Sequence, residues 1–286
     1  MTRSADLLAT DVRLPGSIMM PRIGLGTWRM GESASTAEDE VEALRHAHDL
    51  GFRHFDTAEM YGEGGSERIL GRALASIPRG DAFLTSKFYP YHADRAGMAS
   101  ACEASLERLG TDYLDLYLLH WPGSVPLEET LEGARDLLGR GLIRAFGISN
   151  FDARAIDQMH KDGQSDQIAV NQVLYNPARR GIEFDLLPKL HDMGIACVAY
   201  TPLEPNRLAT VQGFAALARE IGLSPAQLAF AWQVQRGKTC PIPKSATLTN
   251  IKALVDALAS PLDDATMAAI DAVCPPPFTA QPLQIL

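Results

Sequence analysis

The chain contains no Cys-x-x-Cys, no Gly-x-Gly-x-x-Gly, no His-x-x-x-His and no apolar run of membrane-spanning length. Each absence removes a class of protein. Its four cysteines, Cys102, Cys197, Cys240 and Cys274, stand far apart, which argues against a zinc site or a redox pair and reads as reduced thiols in a cytoplasmic protein. No segment approaches the ~20 apolar residues of a membrane helix, and the N-terminal MTRSADLLATDVRLPG lacks a signal-type apolar core. No metal is expected: there is no acidic cluster, and His46 and His48 are two apart on a helix and point different ways. Cations are in the minority, 26 Lys and Arg against 35 Asp and Glu, a formal charge of −9. A nucleic-acid surface needs the opposite balance, although a few local cations can still hold a small anion.

What the chain does have is a regular alternation. With 286 residues, 46% of them hydrophobic, it is long enough for one large domain with a full core. Eight short apolar runs read as strands, at residues 21–28, 53–58, 82–88, 113–120, 143–150, 168–175, 195–201 and 239–245. Between them lie segments with apolar residues at three and four spacing. The helix over 35–51 opens with a capping-box pattern, Ser35 and Glu38. Helices over 98–110 and 127–141 end on Gly110 and Gly141, as left-handed C-caps do. Further helices are expected at 152–161, 185–193, 213–221, 225–236, 248–259 and 263–273. Strict strand-then-helix order implies a parallel sheet, and eight such units imply a closed (β/α)8 TIM barrel, an α/β fold, as a single domain over residues 1–286. A hairpin around Pro15-Gly16 is expected to cap the barrel bottom, and a helix and tail follow the last unit. The tail CPPPFTAQPLQIL either closes over the mouth or packs outside the barrel.

In such a barrel, chemistry sits at the C-terminal ends of the strands. Those ends carry Asp56 with Tyr61 in the loop beyond, then Lys87, His120, Ser149-Asn150, Asn171-Gln172, Tyr200 and Lys244-Ser245. Any one of these has a bland reading as a cap, a solvated lysine or a satisfied core histidine. Together they ring one face with titratable groups.

The stretches GLGTW, FDTAEMYG, SKF, LDLYLLHWP, GISNF, NQVLYN, AYTPL and IPKS occur in the order seen in aldo-keto reductases, and the chain resembles that family from residue 14 to about residue 271. The resemblance implies a barrel that binds a nicotinamide dinucleotide without the Rossmann fingerprint, in keeping with the glycine spacing of YGEGGSE, which does not match that motif. It implies reversible reduction of aldehyde or ketone carbonyls, with Asp56, Tyr61, Lys87 and His120 as the catalytic tetrad.

The chemistry accounts for these residue types. The nicotinamide supplies the hydride, and the protein supplies orientation and charge. Tyr61 would donate the proton. A phenol titrates near 10, and bringing it toward neutrality takes about 3–4 kcal/mol. An ammonium about 4 Å away contributes about 4 kcal/mol at an effective dielectric of about 20, so Lys87 is expected to lower the phenol. Asp56 would keep Lys87 charged against desolvation, and His120 would donate to the carbonyl oxygen. Trp28, Phe88 and Trp121 would wall the substrate pocket. By the same resemblance Ser149, Asn150 and Gln172 hold the nicotinamide amide, Tyr200 stacks on its ring, and Leu203 lies along the pyrophosphate. Lys244 and Ser245 take the adenosine 2′-phosphate, with Asn250 also in the cofactor site.

One departure bears on the cofactor. The family commonly has an Arg six residues past the motif lysine and then a Glu-Asn pair; here the positions are Asn250, Ala253 and Leu254. The arginine fork on the phosphate is missing, with Lys252 as a nearby substitute. NADPH remains the expectation because Lys244 and Ser245 are retained, and NADH stays open. Two other readings use the same barrel: a cofactor-binding regulatory protein with little turnover, and a Schiff-base lyase acting through Lys87 or Lys244.

Overall fold

The computed structural model describes residues 2–286. Among the described residues ten strands form: β1 (Asp11–Arg13), β2 (Met19–Pro21), β3 (Gly24–Gly26), β4 (His54–Asp56), β5 (Phe83–Phe88), β6 (Leu114–Leu119), β7 (Ile143–Ser149), β8 (Val170–Leu174), β9 (Ala196–Tyr200) and β10 (Cys240–Pro241). β1 and β2 pair antiparallel, and β3 to β10 make one parallel sheet in chain order. The sheet closes where Gly26 meets Lys244 and the Gly26 N–H donates to the Pro243 carbonyl at 2.8 Å. This is the (β/α)8 barrel. The last strand, expected over 239–245, contracts to two residues because Pro241 and Pro243 have no N–H for the ladder.

The two-residue period of the strands sorts side chains between two cores. Along β5, Phe83, Thr85 and Lys87 point into the barrel. Phe83 packs with Leu116, Leu118, Val170 and Val198, and Thr85 bonds to His54. Leu84 and Phe88 join the larger core under the helices, and Ser86 donates to Glu67 on the same outer side. The hairpin places Leu14, Ile18 and Met20 in the inner cluster, closing the bottom. A short helix α1 (Arg3–Leu8) precedes it.

The helices follow the expected order with two corrections. A helix α2 (Ala37–Asp49) begins after Thr36, which makes no side-chain cap. Ser35 hydrogen-bonds Ser33 and Glu38 pairs with Arg72, so the Ser35–Glu38 box does not form. The second correction is α3 (Gly65–Leu74), a helix absent from those expected from the sequence. Three glycines, Gly64, Gly65 and Gly71, dilute its apolar signal, yet parallel pairing of β4 with β5 requires a crossover there. Gly65 is also needed for close approach: a Cβ on it would lie 2.5 Å from the Gly31 carbonyl oxygen.

The remaining helices are α4 (Arg95–Leu109), α5 (Leu127–Gly139), α6 (Ala153–Lys161), α7 (Leu186–Asp192), α8 (Pro205–Leu208), α9 (Phe214–Glu220), α10 (Pro225–Arg236), α11 (Leu248–Ala257) and α12 (Asp264–Val273). α4 ends on left-handed Gly110, φ 65°, and α10 carries the complete capping box, Ser224 with Gln227. The tail beyond α12 returns to the barrel mouth. Arg179 donates to Gln284 at 3.2 Å, and the Leu286 N–H lies near the Tyr200 phenol. All four cysteines are free and buried. Among the described residues no helix is long and apolar enough to cross a membrane.

Candidate active site

At the C-terminal ends of β4 and β5, Lys87 is the hub. Its side chain is 0% exposed, and its ammonium donates to Asp56 Oδ1 at 2.5 Å, to the Thr57 carbonyl at 2.8 Å and to the Tyr61 hydroxyl at 3.2 Å. All three of its protons are spoken for. Asp56 Oδ2 accepts a further bond from Gln172 Nε2 at 2.8 Å. His120 stands just past β6, with its ring edge-on to Tyr61 and centroids 5.7 Å apart. The four residues therefore converge from three consecutive strand ends.

Their charge states follow from burial and partners. Burial pulls the Lys87 ammonium down, but Asp56, with Tyr61 and the hydrogen bonds to both, more than offsets this and holds it above the usual lysine value. A lysine held charged is unsuited to Schiff-base attack, which needs the free amine. Burial pushes the Tyr61 phenol up; Lys87 opposes, Asp56 adds, and the net direction is upward. This corrects the expectation that Lys87 brings the phenol toward neutrality: burial outweighs the ammonium's field, and Asp56 adds to the upward shift. Burial, then Lys87, lowers His120 to about 2, so its ring is neutral. Its Nδ1 is buried without a partner while Nε2 is not sealed off. A proton on Nε2 makes that nitrogen a donor.

Next to the tetrad, Asn150 takes a left-handed backbone, φ 64°. Its amide donates to the His120 carbonyl at 3.1 Å and to Ser149 Oγ at 3.2 Å, and its Oδ1 accepts from the Tyr200 hydroxyl at 3.0 Å. Ser149 Oγ donates to the Gln172 carbonyl at 2.8 Å. Ser149, Asn150, Gln172 and Tyr200 are thus one hydrogen-bonded group beside the tetrad. Gln172 Oε1 has no protein partner, so an acceptor remains for a ligand amide. Burial pushes the Tyr200 phenol up to about 12.

At the barrel seam, Lys244 is lowered by burial, with Glu40 opposing and Arg29 adding to the shift. Among the described residues neither Lys244 nor Arg29 has a carboxylate within ion-pair distance. Glu40 and Glu32 act on Lys244 only from beyond ion-pair distance, which leaves the two neighbouring cations able to hold an anion. Ser245 is buried and donates to the Thr247 carbonyl at 3.4 Å. Asn250 is exposed in the first turn of α11, and Lys252 is engaged by Asp256 at 2.7 Å, so the substitute cation is already paired.

The pocket wall differs from expectation at one position. Trp28 is 48% exposed at the rim, and Trp121 packs on His120 with centroids 5.0 Å apart. Phe88 is not at the pocket. It is 0% exposed and packs on Tyr117, centroids 4.8 Å apart, and on Phe146 in the outer core. Lys87 faces in, so its neighbour must face out. Tyr89 takes the place expected of Phe88, edge-on to Trp121 at 5.8 Å and stacked on Tyr91 at 4.8 Å. Glu59 holds that loop, accepting from the Tyr89 N–H at 2.7 Å and sitting 3.0 Å from His92 Nδ1. The aromatic run after SKF was the available signal.

Residues 22–274 match the model of the Aldo/keto reductase family. The chain belongs to the aldo-keto reductase family. It is 41% identical over 271 residues to methylglyoxal reductase YeaE of Escherichia coli, a match covering 93% of this reductase and 95% of the relative. It is 33% identical over 266 residues to glyoxal reductase of Bacillus subtilis, covering 93% of each. Among solved structures, an aldo/keto reductase of Klebsiella pneumoniae in complex with NADP and acetate superposes with a TM-score of 0.91 at 40% identity, covering 97% of this chain and 99% of that one. The reductase is an oxidoreductase that uses NADP(H) to interconvert carbonyls and alcohols. Among its described residues no group of three or more His, Cys, Asp or Glu side chains is arranged to hold a metal.

Proposed function

We propose that the reductase uses NADPH to reduce small reactive carbonyls of the 2-oxoaldehyde class, with Tyr61 as proton donor. The observation that carries this reading is the Lys87 ammonium, bound at once to Asp56 and to the Tyr61 hydroxyl. Two of the reductase's relatives are a methylglyoxal reductase and a glyoxal reductase, which supports the substrate class. The four free, buried thiols accord with a cytoplasmic setting.

In this mechanism the bound nicotinamide supplies the hydride. Tyr61 holds its proton at neutral pH because burial raises the phenol. Negative charge left on its oxygen after transfer meets an ammonium already 3.2 Å away, so little must reorganise. Asp56 and the Thr57 carbonyl take the other two ammonium protons and fix its position. His120, neutral, donates from Nε2 to the carbonyl oxygen and orients it. Trp28, Trp121 and Tyr89 shield the reacting carbonyl from water.

The free Gln172 Oε1 and the unpaired Lys244–Arg29 cations fit the two ends of a phosphorylated dinucleotide. Ser149, Asn150 and Gln172 would hold the carboxamide and Tyr200 would stack on the ring. Leu203 would lie along the pyrophosphate, and Lys244 with Ser245 would meet the 2′-phosphate. Asn250 would add a polar contact without charge, which keeps NADH use within reach. Purified protein should oxidise NADPH in the presence of methylglyoxal. Unchanged NADPH absorbance across a panel of aldehydes, dicarbonyls and quinones would count decisively against this function. An equal or greater kcat/KM with NADH would overturn the cofactor choice.

A further inference from the structure

The four residues after Tyr200 are strained at both ends. Thr201 has φ 50° and Glu204 φ 21°, and neither is a glycine. Such backbone persists only where neighbours over-determine it. The neighbours here come from the loop after β8. Asn176 Nδ2 donates to the Thr201 carbonyl at 3.1 Å and to Glu204 Oε2 at 2.8 Å. Arg179 forks onto the same carboxylate, Nε to Oε2 at 3.0 Å and Nη2 to Oε1 at 2.8 Å. Both side chains are mostly buried, at 16% and 12% exposure.

Arg179 is itself well anchored. Its neighbour Arg180 is held by Glu183, Asp271 and the Cys274 carbonyl. The remaining amino group of Arg179 donates to Gln284 in the tail at 3.2 Å. Two residues on, the chain ends beside the Tyr200 phenol. One guanidinium therefore joins the loop after β8, the turn after β9 and the C-terminal tail. All three lie at the mouth, outside the strands, so closing the barrel does not require them.

We infer that Arg179 is a positioning residue for the dinucleotide: through Glu204 it holds the turn that carries Tyr200 and Leu203, and through Gln284 it ties the tail to that turn. The inference rests on the reading that the cofactor lies against Tyr200 and Leu203. The fork is specific to a guanidinium, because a lysine offers a point charge in place of two parallel donors. Cofactor binding and tail order are then coupled, since both depend on the same turn.

The test measures NADPH dissociation by quenching of intrinsic tryptophan fluorescence, alongside thermal melts, for wild type, Arg179→Ala, Arg179→Lys and Glu204→Gln. Loss of a charged hydrogen-bond pair is expected to weaken NADPH binding by about tenfold or more in Arg179→Ala and Glu204→Gln. Arg179→Lys should fall between these and wild type. At saturating NADPH, kcat should stay within about threefold of wild type, because the tetrad is untouched. Hydrogen exchange of residues 281–286 should slow when NADPH is added to wild type but not to Glu204→Gln. If Arg179→Ala does not fold, the two near-isosteric variants carry the same test. NADPH affinities within about twofold of wild type in folded variants would overturn the inference, as would tail exchange that ignores NADPH in wild type. Failure of wild type itself to bind NADPH would overturn the cofactor reading first and this inference with it.

Discussion

Gln172 and Asp56, 116 positions apart in the chain, meet across the barrel: the Gln172 amide donates to Asp56 Oδ2 at 2.8 Å. In the proposed mechanism Gln172 belongs to the cofactor side of the site and Asp56 to the proton-transfer side, so one hydrogen bond links the two. Replacing Gln172 by Leu leaves a buried carboxylate short of a donor, at a cost of about 1–3 kcal/mol. Steady-state kinetics should show kcat/KM for NADPH falling by about tenfold or more. Gln172→Glu should be worse, because two carboxylates at that spacing cannot both ionise. Equal activity in all three proteins would show that the bond carries no function.

Tyr61→Phe removes the proposed proton donor and leaves the ring. Turnover should drop by about 10²- to 10⁴-fold, with NADPH affinity from fluorescence titration unchanged. The raised phenol also sets a direction of pH dependence. Carbonyl reduction needs protonated Tyr61, so its rate should hold through neutral pH and fall only above about pH 10. Alcohol oxidation needs the phenolate and should rise as pH increases. A reductive rate that declines between about pH 6 and 8 would contradict the assignment.

His120 is lowered to about 2 by burial and Lys87. Its ring is therefore neutral around neutral pH. The kcat/KM profile for the carbonyl should therefore show no histidine step between about pH 5 and 8. An NMR titration that finds the His120 ring protonating in that interval would refute the neutral-donor role.

His54 sits inside the barrel, 2.9 Å from Thr85 Oγ1, with its Nδ1 unpartnered. Burial lowers it from 6.5 to about 4. Above pH 6.5 both folded and unfolded chains carry a neutral ring, and His54 has no influence on pH dependence. As pH falls below 6.5 the unfolded chain takes up a proton that the folded one refuses until about 4, so stability drops. The loss is on the order of 3 kcal/mol by pH 4. Urea melts of His54→Gln should show a flatter dependence over that window. A slope identical to wild type would mean that other groups control acid sensitivity.

Lys244→Ala should separate the two cofactors. It removes a cation that acts together with Arg29 at the barrel seam. NADPH affinity should fall by about tenfold, while NADH, lacking the 2′-phosphate, should bind as before. Parallel losses for both cofactors would place Lys244 elsewhere in the site.

Much of this was legible because it is local. Asp56, Lys87 and His120 end apolar runs, and the run itself says which end is the mouth. Phe88 was misplaced although the rule that places it is equally local: it follows inward-facing Lys87 and so packs outward on Tyr117 and Phe146. α3 was hidden by its glycines, one of which is required by contact with Gly31. The Ser35–Glu38 box failed because the helix starts after Thr36, which puts Ser35 outside the N-cap position, and Glu38 turns to Arg72. Tyr89 lies against Trp121, and its backbone N–H is held by Glu59, a carboxylate from a different loop.

From the sequence alone came the alternation that makes a barrel and the identity of the groups at its rim, since hydrophobic period and strand ends are properties of short segments. Only the tertiary structure decided which of those groups touch. The upward direction of Tyr61, the Gln172–Asp56 bond and the Arg179 fork on Glu204 each depend on atoms from distant segments brought together within hydrogen-bonding distance. Closure of the sheet fixes those distances, and no local pattern encodes them.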